Sequence, residues 1–338
     1  MSKLFTCFLL IATCFQITAQ GGPWVVEKGK TLLSLGYSQK TASQRWAPTN
    51  LNTKNTSTGD DDTWGPDSLQ TNSTLVNGKF HDFRYVYLNF QIGLIKNLEL
   101  SGNINYLFGY EAISSDPKTG VKLAAPRMEL NQGFTDAWLR IKYKLPTKLP
   151  MAIEFNSRFP DLYDQPGHTY TRYNYQYTNL EGKKDTTVEA SSEWRGLLKR
   201  DFALIYHVGS SFLKHGNLFA QLYAGYNWRQ GAYADQFLAG TTIGYTIRLK
   251  NGIEIIPNIY SDLTYGLSNG KKPDISDRFQ QGGRTNYYFN NSRYWRAYLN
   301  VYAKLTKNIA VATGYGQWIW GEGSVKYSEP YAQVFFGF

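Results

Sequence analysis

Tyr294 to Leu305 reads YWRAYLNVYAKL. Trp295, Ala297, Leu299, Val301, Ala303 and Leu305 fall at one parity, and Tyr294, Arg296, Tyr298, Asn300, Tyr302 and Lys304 at the other. Successive side chains of a β-strand point to opposite faces, so this stretch has one apolar face and one polar, aromatic face. Strands of soluble sheets average about five or six residues, whereas tilted strands crossing a bilayer need about nine to eleven. The unbroken alternation here has the longer measure.

The same split recurs along the chain. Leu98, Leu100, Ile104, Tyr106 and Phe108 alternate with Glu99, Ser101, Asn103 and Asn105. Ala137, Leu139, Ile141 and Tyr143 alternate with Asp136, Arg140, Lys142 and Lys144, and Phe237, Ala239, Ile243, Tyr245 and Ile247 with Gln236, Thr242, Thr246 and Arg248. Such segments cover 31–39, 82–93, 97–111, 134–145, 151–159, 201–213, 218–229, 235–248, 253–267, 291–305, 309–321 and 326–338. The connections at 94–96, 146–150, 214–217, 249–252 and 306–308 are short, and most carry the Gly, Pro or Asn that tight turns need. Those in between are mostly long, at 40–81, 112–133, 160–200 and 268–290. Short turns at one end and long loops at the other predict an all-β fold, a transmembrane antiparallel up-and-down β-barrel of about 12 strands. Its turns are then periplasmic, its loops extracellular, and an even strand number puts both strand ends on the turn side.

The aromatic residues give a second line of argument. On the outward parity, Tyr106, Phe108, Trp228, Trp295, Trp318 and Trp320 are expected near the long-loop end, together with Tyr110, Tyr226 and Phe237. Tyr143, Tyr245, Phe336 and Phe338 are expected near the turns. Two such belts mark two membrane interfaces. A soluble sandwich explains the alternation but not the strand length, the loop asymmetry or the belts. The final segment, YAQVFFGF, is apolar at alternate positions up to Phe338. This resembles the C-terminal signal that the barrel assembly machinery reads, with the last strand closing onto the first.

Met1 to Gln20 begins with Lys3 and an uncharged apolar run from Leu4 to Ile17. It reads as a cleaved secretory signal over residues 1–19. A lipoprotein signal ending at Cys14 is the rival, but Thr13 is bulky for its position and the apolar stretch continues beyond. Residues 20–30 then form a periplasmic N-terminal segment, and 31–338 the outer-membrane barrel. Both cysteines, Cys7 and Cys14, lie in the signal, so the remainder has neither a disulfide framework nor a thiol. The net charge is +10, one unit of it from Lys3. In an exported chain this argues against nucleic acid and for anionic head groups or an anionic solute. Expected surroundings are outer-membrane lipid and lipopolysaccharide, in a Gram-negative bacterium.

Chemistry-bearing motifs are sparse. His81, His168, His207 and His215 form no metal-spaced cluster, and no cofactor motif occurs. Asp60, Asp61 and Asp62 lack the spacing of a calcium-binding loop. A hydrolase of the outer-membrane phospholipase type needs a His and a Ser on one outward face; His207 and Ser210 are three apart and face opposite ways. His81 and Asp82 also oppose, and no acid pair with a His-Asp dyad of the omptin type assembles, so no catalytic residue is assigned. The inward parity instead collects Glu99, Asp136, Arg140, Glu154, Arg158, Arg229, Asp262, Tyr294, Arg296 and Tyr298 as lumen-lining residues. Arg140, Arg158, Arg229 and Arg296 are expected to set the lumen potential, with Glu99, Glu154 and Asp262 as counter-charges. Twelve strands lie between filled eight-stranded barrels and open sixteen-stranded porins, which suits a narrow path rather than a wide pore.

Gly133 to Leu145, GFTDAWLRIKYKL, resembles a hairpin strand of outer-membrane transporters similar to the meta-pathway phenol-degradation barrel family. Gly225 to Tyr245, GYNWRQGAYADQFLAGTTIGY, resembles that family's later hairpin, and Lys28-Gly29-Lys30 through Tyr37 its first strand. The resemblance implies a passive transporter of a small hydrophobic or aromatic compound, distantly like the FadL-type fatty-acid channels, with no catalytic residues. The chain departs from the family in the loops 40–81 and 160–200. The alternative is a non-transporting surface barrel whose long loops mediate adhesion or partner binding.

Overall fold

The computed structural model describes residues 22–48, 73–115, 122–159, 169–173, 176–178, 184–186, 189–192, 200–213, 216–230, 233–268, 293–322 and 324–337. The expected signal at 1–19 and the expected belt residue Phe338 lie outside them. Twelve antiparallel barrel strands follow in chain order. They are β1 (Thr31–Pro48), β2 (Ser73–Ile95), β3 (Leu98–Ser115) and β4 (Lys122–Phe134 continuing as Ala137–Lys144). Next come β5 (Met151–Phe159), β6 (Asp201–Phe212), β7 (Leu218–Arg229) and β8 (Gln236–Tyr245 with Ile247–Arg248). The last four are β9 (Glu254–Gly266), β10 (Arg293–Lys304), β11 (Ile309–Glu322) and β12 (Ser324–Val325 with Ser328–Gly337). Each pairs with its sequence neighbour, and β12 pairs back onto β1 with Leu32 opposite Gly337 and Tyr37 opposite Ala332. The sheet is therefore a closed barrel without a free edge.

Turn chemistry follows the sequence. β2 and β3 join through Lys96 and Asn97, and Asn97 takes the left-handed backbone (φ 68°) that Asn tolerates. Alternation also fixes the faces. Leu35, Leu88, Ile104, Leu222, Ile259 and Leu299 lie exposed on the outer wall, while Ser34, Glu99, Asn156, Gln221, Asp262 and Gln333 are buried inside. Such an outer wall is stable only in hydrocarbon, where polar groups must be satisfied within the protein. Three on this wall show how: the Trp295 indole donates to Ser261 Oγ at 2.6 Å, Thr241 Oγ1 to the Gln221 carbonyl, and Thr313 Oγ1 to the Tyr331 carbonyl.

Several strands are longer than the alternation implies. β1 reaches Pro48, β2 starts at Ser73, and residues 122–134 extend β4 upward past a break at Thr135 and Asp136. The expected loops 40–81 and 112–133 are therefore partly strand. Within 160–200 lie the short strands Thr169–Tyr173, Gln176–Thr178, Lys184–Thr186 and Glu189–Ser192. Beyond the membrane both faces of a strand can be wet, so the apolar alternation that reveals a strand disappears there.

One belt assignment is corrected. Even-numbered residues of β11 face inward from Ala310 as far as Trp318, which is buried against Tyr298 and Tyr327. The register then slips: Arg296 opposes Trp318 while Trp295 opposes Trp320, leaving Ile319 as an extra residue. This bulge resets the parity. Trp320 turns outward beside Trp295, and Trp318 belongs to the lumen, not the membrane belt.

A recurrent device fills the interior. Inward aromatics stand opposite glycines on the neighbouring strand: Tyr87 opposite Gly36, Tyr223 opposite Gly240, Tyr298 opposite Gly316 and Tyr331 opposite Gly314. A Cβ at Gly36 would sit 2.3 Å from the Tyr87 ring, and one at Gly316 2.1 Å from that of Tyr298. The missing side chain lets each ring lie against the wall and leaves space along the axis. The lipid-facing requirement is tested at Leu299, midway along β10 and 65% exposed. Leu299→Arg is expected to destabilise the barrel by about 2–4 kcal/mol in urea titrations in lipid vesicles.

Candidate functional site

The lumen has three levels between the long-loop mouth and the short-turn mouth. At the first, β5, β6 and β7 end in a buried ion cluster. Asp201 pairs with Arg158 and, at 3.4 Å, with Arg229; Arg158 also reaches Asp136 at 3.3 Å. The Arg158 guanidinium lies 5.1 Å from the Trp138 ring, and that of Arg229 lies 4.4 Å from the Tyr233 ring. Across the lumen at this end, Trp46, Trp318, Tyr294 and Tyr327 pack together. Lys40 Nζ and the Arg296 guanidinium lie 5.6 and 5.2 Å from the Trp318 ring, a cation–π arrangement.

The middle level is a cavity of about 380 Å³. A chain of contacts runs along one wall: Lys40 to Glu329 at 3.8 Å, the Tyr298 hydroxyl donating to Glu329 at 2.6 Å, and Arg296 to the Tyr298 oxygen at 3.3 Å and to Asp262 at 2.7 Å. The Tyr223 and Tyr260 hydroxyls meet at 3.3 Å. Amides supply the rest. Asn103 donates to Asn105, Asn300 to Asn258, and the Tyr331 hydroxyl to Asn300. Lower on the far wall Lys142 pairs with Glu99 at 3.4 Å, and His207 lies 3.3 Å from Glu154.

The third level is the segment 22–30, which enters the short-turn mouth. Gly29 donates to the Gly93 carbonyl at 2.8 Å and Gly93 donates to the Lys30 carbonyl at 3.0 Å, anchoring the segment on β2. The backbone N–H of Val26 donates to Glu99 at 2.8 Å. On the far side Trp24 meets Phe219 edge-on with centroids 6.3 Å apart, and Pro23 is fully buried. Two wall glycines make room. A Cβ at Gly93 would sit 2.0 Å from the Glu27 carbonyl oxygen, and one at Gly209 2.9 Å from Pro23 and Trp24. The segment thus spans the mouth from β2 and β3 to β6 and β7.

All ten expected lumen residues lie on inward positions of their strands, Asp136 just before the lower half of β4. Asp262 meets Arg296 as the sequence reading expects, and the other pairings differ. The counter-charge of Arg158 and Arg229 is Asp201, and Glu99 and Glu154 meet Lys142 and His207 instead of the arginines. Asp201 and Lys40 were not among the expected residues. Asp201 shares the parity of His207, and Lys40 continues the even parity of Ser34 and Ser38, so both were within reach of the alternation argument. Of the expected belt, Trp228, Trp295 and Phe336 are exposed on the outer wall, and Tyr106 and Phe108 share its parity.

No protein-family profile and no curated protein matches the chain. Among solved structures it is similar to an outer-membrane channel from Pseudomonas putida F1, at 11% identity and a TM-score of 0.53, covering 95% of this chain and 100% of that one. The chain has the fold of an outer-membrane β-barrel. The β domain of the Bordetella autotransporter BrkA aligns at 11% identity and a TM-score of 0.46, over 91% of this chain and 99% of that one. A Pseudomonas aeruginosa FadL homologue aligns at 7% identity and 0.36, over 91% and 89%.

The ion cluster has a measurable consequence. Asp201→Ala takes from Arg229 its carboxylate and leaves Arg158 with Asp136 alone in a buried wall. It is expected to cost about 3–5 kcal/mol, read from urea titration of the folded barrel.

Proposed function

We propose that the protein is a passive, solute-selective channel of the bacterial outer membrane. The observation that carries this reading is the polar cavity midway along the axis of a closed barrel with an apolar outer wall. A barrel serving only as an anchor has no use for such a chamber. On this reading the signal at 1–19 directs export, and the assembly machinery recognises the last strand with its terminal Phe338. Arg84, at the long-loop end of the outer wall and paired with Asp82 at 2.8 Å, would meet the anionic head groups of lipopolysaccharide. The turn side is periplasmic, and the segment 22–30 closes that mouth until it is displaced.

The sequence resemblance to the phenol-degradation transporters supports a small solute, and the similarity to a solved channel is in keeping with it. No catalytic step is assigned. His207 faces the lumen beside Glu154, while Ser210 lies on the alternate parity. A second reading draws on β2, whose 23 residues at about 3.3 Å each exceed any bilayer span. The projecting β1–β4 wall would then be a binding surface above a silent barrel.

Planar-bilayer recording of the refolded chain separates the two. Discrete steps are expected, rising at least about twofold in a variant lacking residues 22–28, with ion selectivity shifted by Arg296→Ala. Silence from both the folded chain and the deletion variant would overturn the channel and favour the surface role.

A further inference from the structure

We infer that the central cavity is a binding site for a neutral, polyhydroxylated solute of about one sugar ring; this rests on the channel reading. The cavity's charges are already used. Of the lining charges, Lys40 is met by Glu329, and Arg296 is met by Asp262 just behind the wall, so the group is neutral as a whole.

What remains is a wall of amides and hydroxyls, chiefly Asn89, Asn103, Asn105, Asn300, Gln333 and Ser38. An amide both donates and accepts, and so does a hydroxyl. A carboxylate only accepts, and an apolar ring does neither, so either would leave part of this wall unpaired. One acceptor is conspicuous. Asn103 Oδ1 is buried without a hydrogen-bond partner in the protein, although Asn103 Nδ2 donates to Asn105 at 3.0 Å. Asn103 lines the cavity, and a turn of its amide brings this acceptor to a solute hydroxyl.

The tyrosines contribute shape. Tyr87, Tyr298 and Tyr331 are laid against Gly36, Gly316 and Gly314, and give the chamber apolar ring surface beside its amides. Ring surface with flanking amides suits a sugar ring, which carries C–H groups on its faces and hydroxyls on its rim. About 380 Å³ is at the small end of ligand pockets, which run from about 300 to 1,000 Å³. This assignment differs from the hydrophobic or aromatic cargo that the family resemblance implies. It follows from the residues lining this lumen.

The test pairs binding with transport, using D-glucose and benzoate as probes. Equilibrium dialysis of each labelled probe is run against the folded, detergent-solubilised chain. Saturable glucose binding is expected, with benzoate bound about tenfold or more weakly, and with Asn103→Leu weakening glucose by about tenfold. Tyr331→Phe, which removes one hydroxyl and keeps the ring, guards against a folding defect. It is expected to weaken glucose about threefold or more and to leave benzoate unchanged. Absent glucose binding, benzoate binding at least as tight as glucose, or glucose binding indifferent to both substitutions would overturn the assignment. Proteoliposome swelling separates the two readings. Glucose that binds but does not enter sinks the channel and leaves the site, whereas entry of both probes at equal rates without saturable binding sinks the site and leaves the channel.

Discussion

Everything in this molecule depends on the closure of β12 onto β1. Hydrocarbon offers no partner to a free N–H or C=O, so a sheet crossing a membrane must return to its own first strand. The Leu32–Gly337 and Tyr37–Ala332 pairs make that return, placing both ends of the sheet at one mouth. Closure also divides the side chains into two populations with opposite requirements. The outer one must be apolar or internally satisfied, as Trp295 and Ser261 are. The inner one must fill, or keep wet, a space too wide for a simple apolar core and too narrow for a wide pore.

The inner population meets that demand in two ways. Charges are arranged as neutral groups: Asp136 and Asp201 with Arg158 and Arg229, Asp262 with Arg296, Glu329 with Lys40, Glu99 with Lys142. Each contact offsets the desolvation of its partners, and removing one member leaves the other exposed to a poor solvent. Aromatic rings are set against cross-strand glycines, so bulk is carried on the wall and the axis stays partly open. Ring and charge also meet at Trp318, which lies beside Lys40 and Arg296 above the central chamber. The segment 22–30 completes the arrangement below, seated on Gly93 and Gly209. The chamber is thus bounded by packed aromatics on one side and a backbone strap on the other.

Much of this was legible in the sequence. Period-two alternation in Tyr294–Leu305 and its counterparts determined by itself that the chain forms long antiparallel strands, how many, and which residues face inward, because a strand's side chains have no third direction. The alternation of short turns with long loops determined the topology. The signal failed where its physical cause failed: above the membrane both faces of a strand can be wet, so 73–80 and 122–133 read as loop. The parity argument also broke at Ile319, since a bulge depends on how two strands fit and not on the composition of either. Only the tertiary structure decided which inward charge meets which, that rings rest on glycines of the neighbouring strand across the ladder, and that 22–30 lies within the mouth. Those facts depend on shear and curvature, which bring together residues as far apart as Val26 and Glu99, and a local pattern carries no record of such distances.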